Sequence, residues 1–396
     1  MSNVNNNLHL SHLDEDSLTQ FQAHMSICTI EAGALQKVAP YLEQQGYQRI
    51  QLVVDGNTYS AAGKQLEQLL QRNHFTVFRT DLVANAVGDI VADEQSLIQL
   101  LLDLQQHKAE VVIAIGGGTI HDITRYAAYT HGISFIAVPT APSVDGFNSK
   151  GAPIISRGYK ITIQSIGPEA VFADLNLLVK APRSMIAAGY GDILGKYTSL
   201  FDWRFGVLTN DEPYMQSSEI ITRNALKLCV DHTSQIARRD EEGIALLTRG
   251  LMESGVAMLM FGKSHPASGA EHHLSHFWEM DYIKQGKKQL LHGAKVGCSC
   301  IEISSLYHQL GKEDWGLSSA NMRIQQNWDA IKHHLQSIPQ AHELKALLAE
   351  VGGPTHYSEL GISQSLVAAS LLEAHNVRPE RFTLLHARNS EHFNII

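Results

Sequence analysis

Hydrophobic positions along this chain change their period near residue 180. Between residue 49 and about 140, short apolar runs alternate with longer stretches whose apolar residues recur at helical spacing. "RIQLVVDG" precedes "AAGKQLEQLLQR", and "FTVFRTDLV" precedes "DEQSLIQLLLDLQQH". "AEVVIAIGGG" then leads into "TIHDITRYAAYTHG", and "ISFIAVPTAPS" runs into a proline turn. Strands separated by helices of roughly ten to fifteen residues predict βαβ units and a parallel sheet. From about 182 the texture is helical, in "SMIAAGYGDILGKYTSLFDWRFG", "SSEIITRNALKLCVDHTSQIARR", "EEGIALLTRGLMESGVAMLMFG" and "ELKALLAEVG". The pattern predicts an α/β domain over residues 1–180 and an all-α domain over 181–396, with a cleft between them.

Length and composition agree with this division. A chain of 396 residues, 44% hydrophobic and 18% charged, is globular and too long for one core. A net charge of −9 excludes the basic face that nucleic acid or an anionic membrane would require. A local basic pocket for one small anion remains compatible with it. Residues 1–20 lack the basic start and apolar core of a secretory signal and are expected to form a loose tail. No uninterrupted apolar run reaches the roughly 18–20 residues of a membrane span, so the expected location is the cytoplasm. Cys28, Cys229, Cys298 and Cys300 make neither a disulfide framework nor a C-x-x-C zinc pattern. A lone C-x-C at 298–300 is a weak metal signal.

Candidate chemistry begins at "VVIAIGGGTIHD", where glycines sit between a buried strand and a helix. Glycines admit a close ligand, and the free N–H groups of a helix start favour an anion such as a pyrophosphate. Thr119 and Asp122 fit a capping box; a plain strand-to-helix turn is the competing reading. The G-x-G-x-x-G fingerprint is absent, because position 121 is His. The loop "PTAPSVDGFNSKGAP" at 139–153 carries Asp145 and, following the next strand, should face the same crevice. Asp55 ends another strand, where it is either a ribose acceptor or a turn-former.

"EHHLSH" at 271–276 raises a metal question. A catalytic metal draws ligands from several elements and keeps one position open. Asp192 is expected at a helix start and His292 at a loop-to-helix junction. His272 and His276 share a helix face at four apart, yet His273 and His276 at three apart would share one as well. An exposed His-rich helix is the bland alternative, and spacing does not choose.

Five stretches in order, "GGGTIHDITRYAAY", "VPTAPSVDGFNS", "AAGYGDILGKYTSLFDW", "SHPASGAEHHLSH" and "LHGAKVG", together resemble the glycerol-1-phosphate dehydrogenases. More broadly they resemble the superfamily of iron alcohol dehydrogenases, glycerol dehydrogenases and dehydroquinate synthases. The resemblance spans roughly residues 45–300, and the tail after 310 adds little. It implies a Rossmann-like nucleotide-binding domain followed by an all-α domain, in a dehydroquinate-synthase-like fold. It also implies a divalent metal, zinc or nickel rather than iron, on Asp192, His272 and His292, which selects His272 over His273. NAD(P)(H) would contact Asp55, Gly116, Gly117, Gly118, Thr119, Asp122, Thr140, Ala141, Pro142, Ser143 and Ser149. Asp145 would lie close to the substrate. His276 would relay a proton with a pKa near its ordinary 6.5. Lys196 would stand where iron alcohol dehydrogenases carry a further histidine and would meet a substrate phosphate.

The implied reaction is reversible reduction of dihydroxyacetone phosphate to sn-glycerol 1-phosphate. The implied partner is a small phosphorylated triose, in a homodimer that engages neither nucleic acid nor membrane. Three alternatives differ in what they would do. A glycerol dehydrogenase would accept an unphosphorylated substrate, a dehydroquinate-synthase-like lyase would consume no net NADH, and a silent NAD-binding protein would turn nothing over.

Overall fold

The computed structural model describes Leu8 and residues 25–392; apart from Leu8, the expected N-terminal tail lies outside them. The strands are β1 (Ile27–Glu31), β2 (Arg49–Val54), β3 (Thr76–Asp81), β4 (Val111–Gly116), β5 (Ser134–Pro139), β6 (Gly151–Ser156), β7 (Tyr159–Gln164) and β8 (Ala170–Asp174). Six of them form one parallel sheet in the order β1-β8-β5-β4-β2-β3, and β6 and β7 form a separate antiparallel hairpin.

Strand β4 shows why the sheet is sandwiched. All six of its residues are buried, and alternate side chains leave opposite faces. Val112 and Ala114 join Leu97, Leu100, Leu104, Ile123 and Ala127 of the helices Glu94–His107 and Gly118–His131. Val111, Ile113 and Ile115 join Val38, Leu42, Leu66 and Leu70 of Val38–Gln45 and Lys64–Arg72.

The four expected strands are β2 to β5. The sequence pattern missed β1 and β8, which are only five residues each. It also read 139–153 as loop throughout, whereas β6 begins at Gly151. The hairpin turns at Arg157 and Gly158, both at positive φ, the geometry of a tight two-residue connection.

After β8 the chain is helical, and the early helices of this part share a core cluster with the sheet. The helical stretch 184–206 divides into Arg183–Leu194 and Lys196–Asn210. Asp192 therefore lies near a helix C-terminus rather than at a start. The helix Glu241–Phe261 is, contrary to expectation, long and apolar enough to cross a bilayer. It is a core helix instead, with 78% of its apolar window buried inside the protein.

Two features aim the fold at one crevice. The connection from β2 leads outward to β3, while that from β4 leads the other way to β5. The carboxyl ends of β2 and β4 therefore flank a topological switch point, where open α/β sheets bind ligands. Asp55 follows β2 and the glycine turn follows β4. Across from them, the helix Arg183–Leu194 lies backbone to backbone against the helix His292–Lys312. A Cβ on Gly191 would come within 2.4 Å of the Gly293 carbonyl oxygen, and one on Gly293 within 1.8 Å of that of Ala188. Only glycines permit this approach, and it brings Asp192 next to His292.

Candidate active site

On the sheet side, the helix Gly118–His131 starts from Gly117 with no side chain capping it. The expected Thr119–Asp122 box does not form, because the helix begins two residues early and Thr119 already lies inside its first turn. The Asp122 carboxylate turns to Arg125 at 2.8 Å. Arg125 also donates to the carbonyl oxygens of Gly151 at 2.6 Å and Phe147 at 3.0 Å. Asp122 thus braces the following loop through Arg125. Gly117, Gly118 and Thr119 are half-buried beside wholly buried neighbours, and a Cβ on Gly117 would meet only Met185 at 3.9 Å. Uncapped N–H groups, the positive end of a helix dipole and free space together fit a pyrophosphate.

The other expected cofactor contacts stand around this turn to different degrees. The Thr140 N–H donates to the Gly116 carbonyl at 3.1 Å, joining the two loops edge to edge. Ala141, Pro142 and Ser143 are buried. The Ser149 hydroxyl faces carbonyls of its own loop, Gly151 at 3.4 Å and Gly146 at 3.5 Å. Asp55 spends one carboxylate oxygen capping the next helical turn, accepting from the Thr58 N–H at 2.7 Å.

On the helical side, Asp192, His272 and His292 present ligand atoms that all lie within 4.8 Å of one another. His272 Nε2 is 3.8 Å from Asp192 Oδ1, and the rings of His272 and His292 have centroids 5.1 Å apart. The helix Ala270–Lys284 is buried rather than exposed: His272, His273 and His276 are all 5% accessible or less. Neither ring nitrogen of His273 has a hydrogen-bond partner among the described residues. Burial holds His292 well below its usual pKa, so its ring is neutral.

The surroundings of the cluster divide into supports and neighbours. Glu271 accepts from His272 Nδ1 at 2.7 Å, and itself is held by Thr198 at 2.6 Å and the Gly269 N–H at 2.7 Å. The carboxylate fixes the ring proton on Nδ1 and leaves the Nε2 lone pair for a metal. Lys196 is fully buried and gives its three N–H bonds to Asp145 at 2.7 Å, Asp192 at 2.9 Å and the Ala267 carbonyl at 3.2 Å. An ammonium has three donors, so nothing remains for a substrate phosphate, contrary to expectation. Burial pulls against its charge, and the two carboxylates more than offset this, holding Lys196 above its ordinary pKa. Asp145 also accepts from Ser254 at 2.8 Å, and its N–H donates to Asp192 Oδ2 at 3.0 Å.

His276 lies beside the cluster, its ring 5.8 Å from His292 and 6.2 Å from His272. Burial and then the charge of Lys160 hold its pKa well below 6.5, which corrects the expectation of an ordinary value. Its Nδ1 faces Glu279 Oε2 at 3.4 Å and its Nε2 faces Arg378 at 3.5 Å. A carboxylate accepts and a guanidinium donates, so the proton resides on Nδ1 and the lone pair on Nε2. Glu279 could join His276 and His292 as a second ligand set. Its carboxylate is already matched by Lys160 at 2.8 Å and Lys295 at 3.0 Å, which favours the first set.

Sequence reasoning missed Glu271, Ser254, Glu279, Lys160, Lys295 and Arg378. Glu271 had a visible signal, an acid next to a ligand histidine. Glu279 and Lys295 each lie three residues after a site histidine on its own helix, a spacing that could have pointed to them; Ser254, Lys160 and Arg378 are brought in by separate elements and had no signal. Cys298 and Cys300 do not converge on a metal: Cys298 Sγ faces the Pro354 carbonyl and Cys300 Sγ that of Leu194. Burial pushes both thiols up to about 12.

A switch-point crevice with an anion-ready helix start, facing a buried Asp-His-His cluster, is the arrangement of a metal-dependent dehydrogenase using a dinucleotide. The family model for iron-containing alcohol dehydrogenase matches residues 29–182. Solved structures share the fold, among them a probable glycerol dehydrogenase from Sinorhizobium meliloti, with TM-score 0.66, 18% identity and 90% of each chain covered. Glycerol dehydrogenase from Schizosaccharomyces pombe matches with TM-score 0.65, 19% identity, and 91% and 84% of the two chains covered. Sequence relatives are nearer. The NAD(P)+-linked glycerol-1-phosphate dehydrogenase of Geobacillus stearothermophilus is 44% identical, with 90% of each chain covered. That of Bacillus subtilis (strain 168) is 43% identical over 87% of this chain and 86% of its own, and that of Pyrococcus furiosus 32% over 84% and 85%. The chain belongs to the glycerol-1-phosphate dehydrogenase family.

Proposed function

We propose that this protein reduces dihydroxyacetone phosphate to sn-glycerol 1-phosphate with NADH or NADPH, reversibly, on a divalent metal held by Asp192, His272 and His292. The observation that carries the reading is one loop that touches both halves of the site. Thr140 at its start bonds Gly116 of the glycine turn, and Asp145 further on bonds Asp192 of the cluster. Hydride donor and acceptor would be held in one frame, which is what proximity catalysis requires. The names of the relatives support the substrate. Two imidazoles and one carboxylate suit zinc or nickel.

A metal bound there would supply Lewis acidity at a carbonyl oxygen, and a nicotinamide would supply hydride. The chain's own groups do the rest. Glu271 orients His272, and Lys196 keeps the Asp145 and Asp192 carboxylates together despite their like charge. Asp145 would accept a hydrogen bond from a substrate hydroxyl. In the direction of alcohol oxidation, His276 Nε2 would take up the proton in place of its long 3.5 Å bond from Arg378, with Glu279 behind Nδ1 to stabilise the imidazolium. In the reducing direction His276 would return it. The family resemblance supports a homodimer, which light scattering would check.

The test is NADH oxidation with dihydroxyacetone phosphate by enzyme stripped with chelator and then given Zn²⁺ or Ni²⁺. Restored turnover that needs the phosphate supports substrate and metal together. Activity on dihydroxyacetone alone would instead select a glycerol dehydrogenase. Turnover with no metal at all would overturn the ligand assignment.

A further inference from the structure

A reduction of dihydroxyacetone phosphate needs a cation for the phosphate, and Lys196 is fully occupied. Three arginines near the crevice, Arg125 and Arg381 buried and Arg378 half-buried, differ in their partners. Arg125 has the carboxylate of Asp122 and Arg381 that of Glu212. Arg378, from the segment after Ala374–Val377, is bonded to hydroxyls and an imidazole. Its Nη1 donates to Ser264 Oγ at 2.9 Å and Ser268 Oγ at 3.0 Å, and its Nη2 to Thr162 Oγ1 at 3.4 Å and His276 Nε2 at 3.5 Å. Among the described residues, no carboxylate forms an ion pair with it. A half-buried guanidinium held only by neutral groups keeps its charge free to pair with an anion that arrives.

Resting on the function proposed above, we propose that Arg378 binds the phosphate of the substrate, with the hydroxyls of Ser264 and Ser268 completing the cradle. Position supports this. Arg378 touches the far nitrogen of His276, whose ring lies within 6.2 Å of both metal-site histidines. A phosphate on the guanidinium would therefore sit one short group away from a carbonyl at the cluster. On the other side of His276, Lys160 and Lys295 both pair with the single carboxylate of Glu279, and around Arg378 the charges of Glu380 and Glu271 act without forming an ion pair. Ser264 and Ser268 can turn their hydroxyl protons toward a phosphate while still accepting from Arg378. Thr162 is exposed on the β6–β7 hairpin and marks the open side by which a ligand enters. A planar fork of donors is the group that recognises phosphate through two bonds.

The cofactor's phosphates are the other source of this chemistry, and the experiment separates them. The metal-loaded enzyme and its Arg378→Ala, Arg378→Gln and Arg378→Lys variants would be assayed with dihydroxyacetone phosphate and with dihydroxyacetone, and titrated with NADH and NADPH. Loss of a charge-assisted pair predicts a drop of roughly 100-fold in kcat/KM for the phosphorylated substrate, carried by KM, for Ala and Gln. Lys should recover part of it. Metal content and both dinucleotide affinities should stay near wild type, the loss with dihydroxyacetone should be far smaller than with its phosphate, and Gln, which retains donors for Ser264 and Ser268, reports on folding. A variant that still prefers the phosphorylated substrate, or that loses both substrates alike, overturns the assignment. Weakened NADH or NADPH binding with unchanged substrate KM would move Arg378 to the cofactor. Wild-type enzyme with no preference for the phosphate would overturn the functional reading itself, before any variant is compared.

Discussion

The two walls of the crevice both rely on glycine, for opposite reasons. At the end of β4, Gly117 keeps space open, since an added Cβ would make only an ordinary contact with Met185 at 3.9 Å. Where two helices meet beneath the metal cluster, Gly293 removes space, since its Cβ would fall 1.8 Å from the Ala188 carbonyl oxygen. One glycine leaves room for a ligand that comes and goes. The other lets two backbones touch, which sets Asp192 beside His292. The first wall is built of backbone amides from a continuous stretch of chain, the second of side chains from three helices.

The largest expected effect breaks this contrast directly. Gly293→Ala cannot be absorbed by a flexible side chain, because the obstacle is backbone. Overpacking of this kind costs roughly 1–3 kcal/mol or more, and the separated helices should lose metal as well. Gly117→Ala should leave the thermal midpoint and metal content nearly unchanged while raising the KM for NADH by roughly tenfold, the cost of about one lost close contact to a phosphate. Calorimetry, metal analysis and NADH titration of both variants check the pair. Equal loss of stability in the two would mean that both glycines serve packing and that no cofactor approaches Gly117.

How much of each wall could be read in the sequence follows from the same difference. The β4 strand, its glycine turn and the 139–153 loop are local signals: an all-apolar run, small residues at its end, then Pro, Ser and Asp. A parallel sheet does the rest by placing successive strand ends side by side. The ligands Asp192, His272 and His292 became a set only through a resemblance to a family, because helical spacing could not choose between His272 and His273. Arg378 carried no signal at all. It reaches His276 from 102 residues away along the chain, through a turn whose sequence says nothing about its neighbours. Lys196 was misread for the converse reason: a lysine near a site looks like a free cation until its carboxylate partners are seen.

A smaller effect sharpens the metal side. Glu271→Gln keeps size and can still hydrogen-bond His272, yet removes the charge that makes the ring a stronger ligand. Changes of this type behind a metal-binding histidine typically cost about 10–100-fold in metal affinity. Chelator competition would measure it. Unchanged affinity would mean that Glu271 only ties the Gly269 amide and Thr198 in place.

The smallest effect belongs to the sheet side and concerns His121, which occupies the position that spoils a G-x-G-x-x-G match. It is fully buried, with Nδ1 2.8 Å from the Gly117 carbonyl. A carbonyl only accepts, so Nδ1 carries the proton and the lone pair lies on Nε2, which has no partner among the described residues. Adding a proton there would bury a charge beside the Arg125 guanidinium. Burial first, and then Arg125, lowers the pKa to about 3. A histidine whose folded pKa lies below its unfolded value of about 6.5 contributes stability above that pH and loses it as pH falls. By pH 5.5 the unfolded chain gains about 1.4 kcal/mol from protonating this residue, and the folded chain gains nothing. His121→Gln has no proton to take up, so its stability should fall less than that of wild type between pH 7.5 and 5.5, by about that amount. Both proteins would be measured free of metal, because the histidines of the opposite wall titrate against their ion. Parallel stability curves would mean that folded His121 is protonated as readily as the unfolded residue. The carbonyl of Gly117 would then be held by the helix alone, and the two walls would differ less in their dependence on side chains than their glycines indicate.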